Sequence, residues 1–268
     1  MTRPWRRSLP SQYLYSVVDN IPSDRPIIFY DQIGCGRSSE PTDVGLYGIP
    51  QSIDDLEKLL DELNIGAFHL LGHSYGGALA YEYAKRVSER RPSTSTLLSS
   101  PHCLSVIIAN TSTSMQKGNE EWDRLFSECA SDISLPGATP HDKFFRRNQC
   151  RLDTIPKDLS SAFDHCGNVW VGTDVVSDWV AVPPNPTIMM GHGDSVEGEH
   201  FQETFPPFLV VTGEYDFITQ SCTLGWKDIL CEALVDEKMM ESCSHYVHFE
   251  QPELFGNIVE EFVLRYDQ

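Results

Sequence analysis

The six residues Gly72-His73-Ser74-Tyr75-Gly76-Gly77 constrain this chain more than any others. They follow the apolar run Ala67–Leu71 and precede a helical pattern over Gly76–Glu89. A lone Gly-x-Ser-x-Gly occurs by chance. Set between a strand and a helix, it reads as a sharp turn that holds a serine exposed at the strand end. Glycines are expected beside the serine because side chains there would clash in so tight a turn. The turn also aims the backbone N–H of Tyr75, at the helix N-terminus, toward a developing oxyanion. Ser74 is therefore the expected nucleophile. The elbow points neighbouring side chains apart, so His73 is expected to pack at the edge of the pocket and not to serve as the base.

A strand-turn-helix unit needs a sheet to belong to. Four short apolar runs read as buried strands: Pro26–Tyr30, Ala67–Leu71, Leu104–Ala109 and Phe208–Val211. Continuous apolar runs suit parallel strands covered on both faces. Ala233–Met240 alternates more and is expected at a sheet edge. Between them, Ile53, Leu56, Leu59, Leu60 and Leu63 recur at helical spacing with Ser52 as a candidate cap, and Pro252–Tyr266 reads as the last helix. This alternation predicts an α/β fold with a mostly parallel sheet and helices on both faces. Residues 1–110 and 207–268 are expected to form the core, with 111–206 a largely helical cap or lid. The connection Arg90–Cys103 is long for a helix-to-strand loop. Gly191-His192-Gly193-Asp194-Ser195 imitates a second elbow but lacks the flanking strand and helix, and is expected to be a loop.

A serine hydroxyl needs a base, and the base needs an acid to orient it. In an elbow fold these follow the serine in the order acid, then histidine. Asp216 stands just beyond the strand Phe208–Val211, where ligand chemistry collects in open α/β sheets; Glu214 is the weaker candidate. His245 and His248 both follow the last strand, and either is placed to be the base.

The net charge of −19 disfavours nucleic acid and anionic membrane surfaces as partners. No apolar run is long enough to span a membrane. The basic start Met1–Arg7 is not followed by the apolar stretch of a secretory signal. The eight cysteines form no Cys-x-x-Cys pair and no His/Cys zinc spacing, so they read as reduced thiols of a cytoplasmic protein with neither metal nor cofactor.

Four segments together carry a family resemblance. Asp31-Gln32-Ile33-Gly34-Cys35-Gly36-Arg37-Ser38, the elbow, Gly213-Glu214-Tyr215-Asp216, and Cys243-Ser244-His245 with Glu250 five residues on resemble the proline iminopeptidase branch of the α/β-hydrolases. The resemblance implies Ser74 as nucleophile, Asp216 as acid and His245 as base, with no cofactor and a small-molecule or short peptide-like substrate. His248 is then a pocket wall or a surface histidine, and the Asp31–Ser38 turn is structural. An elimination lyase on the same scaffold is a more distant alternative.

Three departures from that family carry further expectations. Its members begin with additional strands and a His-Gly-Gly-Pro-Gly loop that donates a second oxyanion N–H. Here Arg7-Ser8-Leu9-Pro10-Ser11 stands where that loop should end. The chain is thus expected to be N-terminally truncated and a weak catalyst, or a non-catalytic binding protein. The family's aminopeptidases hold the substrate ammonium with glutamates. Phe217 replaces the one after the acid, and no glutamate lies between Glu128 and Glu197, although Asp174 is available. A free N-terminus is therefore not the expected substrate. Finally, the loops at 90–103 and 181–206 are longer than the family's.

Overall fold

The computed structural model describes residues 9–22, 24–90, 101–169, 176–184, 205–230 and 232–267. Four strands form one parallel sheet: β1 (Ala67–His73), β2 (His102–Ala109), β3 (Phe208–Gly213) and β4 (Val235–Met240), in the spatial order β1-β2-β3-β4. Each crossover must be long because the strands are parallel. Helices α1 (Ile49–Glu62) and α2 (Tyr75–Arg90) precede β2. Helices α3 (Met115–Ser131), α4 (Pro140–Phe144) and α5 (Lys157–Asp164) lie between β2 and β3. After β3 come α6 (Gln220–Thr223) and α7 (Gly225–Leu230), and after β4 come α8 (Val247–Glu250) and α9 (Pro252–Leu264).

The period-two geometry of a strand divides the core into two layers. Val106 and Ile108 of β2, with Phe208 and Val210 of β3, face α1 and α2 through Leu56, Leu60, Leu79 and Tyr83. Ile107, Ala109, Leu209 and Val211 face the opposite way, onto Phe255, Val259, Phe262 and Val263 of α9. Both faces are buried, which explains why these strands read as unbroken apolar runs.

Two local expectations are corrected. The run Pro26–Tyr30 joins no ladder, and Ile28 is 51% exposed. Apolar character favours burial, but a strand also needs a hydrogen-bonding neighbour. Among the described residues the sheet ends at β1, and Ile27–Tyr30 face the same cavity as the side of β1. Helix α1 begins at Ile49, so Ser52 lies inside it and does not cap it. Gly48, at a φ of 120°, takes the cap position and Pro50 fits the first turn. The last helix, α9, starts at Pro252 as the sequence predicts and ends two residues before Tyr266, with the short α8 a separate turn ahead of it. Met1–Arg7, the Gly191–Ser195 segment, Asp174 and most of the two long loops lie outside the described residues.

Candidate active site

The elbow is built by β1, β2 and α2 together. Ser74 holds a φ of 55°, a left-handed conformation that a non-glycine residue adopts only under constraint. Its N–H donates to the carbonyl of Ala109 at 2.8 Å, and its carbonyl accepts from Thr111 Oγ1 at 2.9 Å. A Cβ on Gly72 would stand 2.1 Å from the carbonyl oxygen of Gly76, and one on Gly77 2.0 Å from Thr111 Oγ1. A Cβ on Gly76 would meet nothing within 4 Å. The steric demand for glycine thus falls on positions 72 and 77, not on 76. Tyr75 opens α2, so its N–H belongs to the first turn, where helical donors have no intrahelical acceptor.

The expected acid and base meet behind this turn. Asp216 is buried, and its Oδ1 accepts from His245 Nδ1 at 2.9 Å and from the Ile218 N–H at 2.9 Å. Its Oδ2 accepts from Asn110 Nδ2 at 2.7 Å. Glu214, in contrast, is exposed and accepts the Ser242 N–H at 2.8 Å. With Nδ1 engaged, His245 has Nε2 left for chemistry, and Ser74, His245 and Phe217 line one cavity of about 620 Å³. The ring of Phe217 lies 4.4 Å from that of His245, centroid to centroid. Glu250 holds the histidine loop in place: its carboxylate accepts from the N–H and Oγ of Ser244 and from the Arg151 N–H at 2.8 Å.

His73 and His248 form a second, wholly buried layer. His73 Nδ1 meets the Tyr13 hydroxyl at 3.0 Å, and Nε2 lies 2.7 Å from the His245 carbonyl. Both nitrogens serve the fold, even though the residue borders the cavity. His248 does not line the cavity, which corrects its expected place as a pocket wall. It is 1% exposed, with Nε2 donating to the Tyr13 carbonyl at 3.1 Å. Burial holds the pKa of His73 well below the ordinary imidazole value and pushes that of His248 down to about 3.

The Asp31–Ser38 turn is a structural clasp. The Asp31 carboxylate accepts the N–H and Oγ of Ser11, each at 2.8 Å, and the Arg37 N–H at 3.0 Å. These hydrogen bonds hold the Asp31 pKa below its usual value although desolvation opposes them.

A family model described as the alpha/beta hydrolase fold matches residues 10–252. The chain belongs to the α/β-hydrolase fold family. Within it, the chain is similar to the proline iminopeptidase of Saccharolobus solfataricus, 28% identical over 248 residues that cover 88% of this chain and 75% of that one. The solved proline iminopeptidase of Mycobacterium smegmatis superposes with a TM-score of 0.73 at 23% identity, over 97% of this chain and 87% of that one. A putative 2-succinyl-6-hydroxy-2,4-cyclohexadiene-1-carboxylate synthase of Bacillus subtilis is 22% identical over 264 residues, 94% of this chain and 86% of that one. This α/β-hydrolase is thus proline iminopeptidase-like.

Two features of the α/β-hydrolase site escaped the sequence reading. Asn110 and Thr111, polar residues directly after β2, reach Asp216 and Ser74 respectively. Their one sequence signal was a pair of polar residues at a strand's C-terminal end. Among the described residues, Asp267 is the only carboxylate lining the cavity, and it is paired with Arg25 at 2.7 Å and His69 at 3.0 Å. No helix among the described residues is long and apolar enough to cross a membrane.

Proposed function

We propose that this α/β-hydrolase is a serine hydrolase that cleaves an ester or amide bond of a small molecule, amino-acid-derived ones included. The observation that carries the reading is the 2.9 Å contact between His245 Nδ1 and Asp216, at a cavity that Ser74 shares from a left-handed turn. In this reading His245 Nε2 takes the Ser74 hydroxyl proton as Oγ attacks the substrate carbonyl. Asp216 stabilises the imidazolium, and the Tyr75 N–H faces the oxyanion. The proton then passes to the leaving alcohol or amine, which departs and leaves an acyl-enzyme. A water molecule, deprotonated by the same nitrogen, attacks the acyl carbon, and Ser74 leaves reprotonated.

Residues 111–206 act as a lid over the core in this proposal. In support, Met115, Asn119, Gln149 and Phe163 from that insertion line the cavity with Ser74. The cavity volume lies within the range of small-molecule sites. An uncharged substrate is favoured, because an ammonium in a largely apolar cavity needs a carboxylate partner, and Asp267 is already engaged.

One observation favours a second reading, a weakly catalytic or purely binding protein. The Ser11 N–H, nearest in sequence to the expected second oxyanion donor, is engaged by Asp31. A fluorophosphonate probe separates the two. A hydrolase is labelled at Ser74 and loses the label in Ser74→Ala. A binding protein is not labelled, and labelling that survives the substitution places the nucleophile elsewhere.

A further inference from the structure

Asn110 sits where the ends of three loops meet. Its Nδ2 lies 2.7 Å from Asp216 Oδ2 and 3.2 Å from the Ser244 carbonyl, the residue before the base. Its own N–H donates to the Val211 carbonyl at 2.8 Å, and the residue is fully buried. The amide orientation is fixed by chemistry: turned over, its oxygen would face a carboxylate and a carbonyl, both acceptors. In the orientation adopted, Asn110 Oδ1 is buried with no partner among the described residues. An unpaired buried acceptor carries the desolvation cost of that group, so the side chain serves through what its donor does.

The backbone narrows the choice of residue further. Asn110 has a φ of 56°, which Gly, Asn and Asp tolerate best. Glycine would leave Asp216 Oδ2 without its donor. Aspartate would set a second carboxylate against the first. Of the three, asparagine alone supplies a neutral N–H to the acid.

We infer that Asn110 is the positioning residue of the catalytic acid. It clamps Asp216 Oδ2 and the Ser244 carbonyl with one amide, so that Oδ1 stays aimed at His245 Nδ1. The inference rests on the proposed roles of Asp216 and His245. The ionisable groups around the clamp are His245 on Asp216 Oδ1, His73 with its ring 4.8 Å from that of His245, and Glu250 on Ser244.

The test uses the full chain with Asn110→Gly and Asn110→Asp, both compatible with the left-handed backbone. Two readouts are followed against pH: p-nitrophenyl ester turnover, and the Nδ1 proton of His245 in the NMR spectrum, which reports on Asp216 whether or not turnover occurs. Asn110→Gly should lower kcat by about 10- to 100-fold, the worth of one hydrogen bond to a buried charge, with KM nearly unchanged. Asn110→Asp should behave differently because two adjacent carboxylates share one proton. While that proton is held, it replaces the amide donor and most activity remains. As it is lost at higher pH, kcat should fall toward the Asn110→Gly level and the His245 proton should shift along the same curve. Wild-type kcat in Asn110→Gly, or an Asn110→Asp profile and Nδ1 resonance that track the wild type, would overturn the inference. If the resonance follows the expected curve but turnover is independent of Ser74, the clamp stands and the serine-hydrolase reading falls.

Discussion

His73 Nε2 lies 2.7 Å from the main-chain carbonyl of His245, so the residue beside Ser74 supports the loop that carries the proposed base. The support is a neutral ring. Tyr13 closes its other nitrogen, and His248 packs 5.0 Å away, ring to ring.

Acid should therefore loosen this protein through groups outside the chemistry. Burial lowers the folded pKa of His73 and His248, the latter to about 3. The unfolded chain takes up those protons near the ordinary imidazole value of about 6.5, whereas the folded chain does not. Stability is thus full above about pH 6.5 and is lost as pH falls from there toward the folded value, by up to about 1.4 kcal/mol per pH unit for each such histidine. Urea midpoints measured from pH 7.5 to 4.5 should decline, and His248→Asn should flatten the decline. An unchanged slope in that variant would show that His248 is not one of the groups responsible.

Activity should rank the histidines the other way. His245→Ala removes the proposed proton acceptor and should lower turnover by several orders of magnitude, on the scale of about 10⁴-fold. His248→Ala leaves the Asp216–His245 contact in place and should cost far less in kcat, with its main effect on melting temperature. Ester hydrolysis by the two variants, each checked for fold by circular dichroism, decides between them. The reverse ranking would make His248 the base.

Specificity follows from what lines the cavity. Phe217 packs against His245 where a glutamate would meet an ammonium, and Asp267 is tied to Arg25 and His69. Free-amine proline arylamides should be poor substrates, and N-blocked or neutral esters should be no worse than their free-amine counterparts. Comparing kcat/KM across such pairs tests this. A strong preference for a free N-terminal proline would mean that another carboxylate takes the ammonium.

The elbow separates two kinds of glycine. Gly77→Ala places a methyl group against Thr111, whose hydroxyl braces the Ser74 carbonyl, and should destabilise by about 1–3 kcal/mol as an overpacked substitution. Gly76→Ala meets open space inside α2 and should be neutral or stabilising by up to about 1 kcal/mol, since glycine is the weaker helix former. Chemical denaturation of the two variants measures both effects. Equal losses would mean that the clash at position 77 is relieved by a shift of Thr111.

How legible these features were depended on how local their causes are. The elbow was readable because strand, glycines and helix are neighbours in sequence. β2 and β3 were readable because burial on both faces writes itself as an apolar run. Pro26–Tyr30 carries the same signature yet forms no strand, because hydrophobicity reports a tendency to be covered and says nothing of a ladder partner. The clamp of Asn110 on Asp216 joins residues 106 positions apart, and an asparagine at a strand end has no distinguishing pattern. Ser52 looked like a cap because its type fits, but the cap is set upstream by the left-handed Gly48 and by Pro50.

The oxyanion donors set how fast this site works. A tetrahedral intermediate is best served by two N–H groups about 3 Å from its oxygen, and loss of one costs about 100- to 1000-fold. The Tyr75 N–H opens α2 and is the proposed first donor. Ser11 lies near the expected loop, but its N–H points to Asp31 at 2.8 Å, inside a clasp that also takes the Ser11 hydroxyl and the Arg37 N–H. Releasing it by Asp31→Ala should not raise turnover, because the same carboxylate holds the Ser11–Asn20 segment that packs Tyr13 against His73. A flexible Gly-Gly-Pro-Gly segment placed ahead of Pro10 could bring a fresh N–H to the cavity without breaking the clasp. With the Tyr75 N–H as the one donor, activated esters should be hydrolysed slowly, and the form carrying the inserted segment should turn them over roughly 100-fold faster with little change in KM. Stopped-flow acylation rates of the two forms measure the difference directly. Equal, fast acylation would show that a backbone donor other than Ser11 already completes the oxyanion hole.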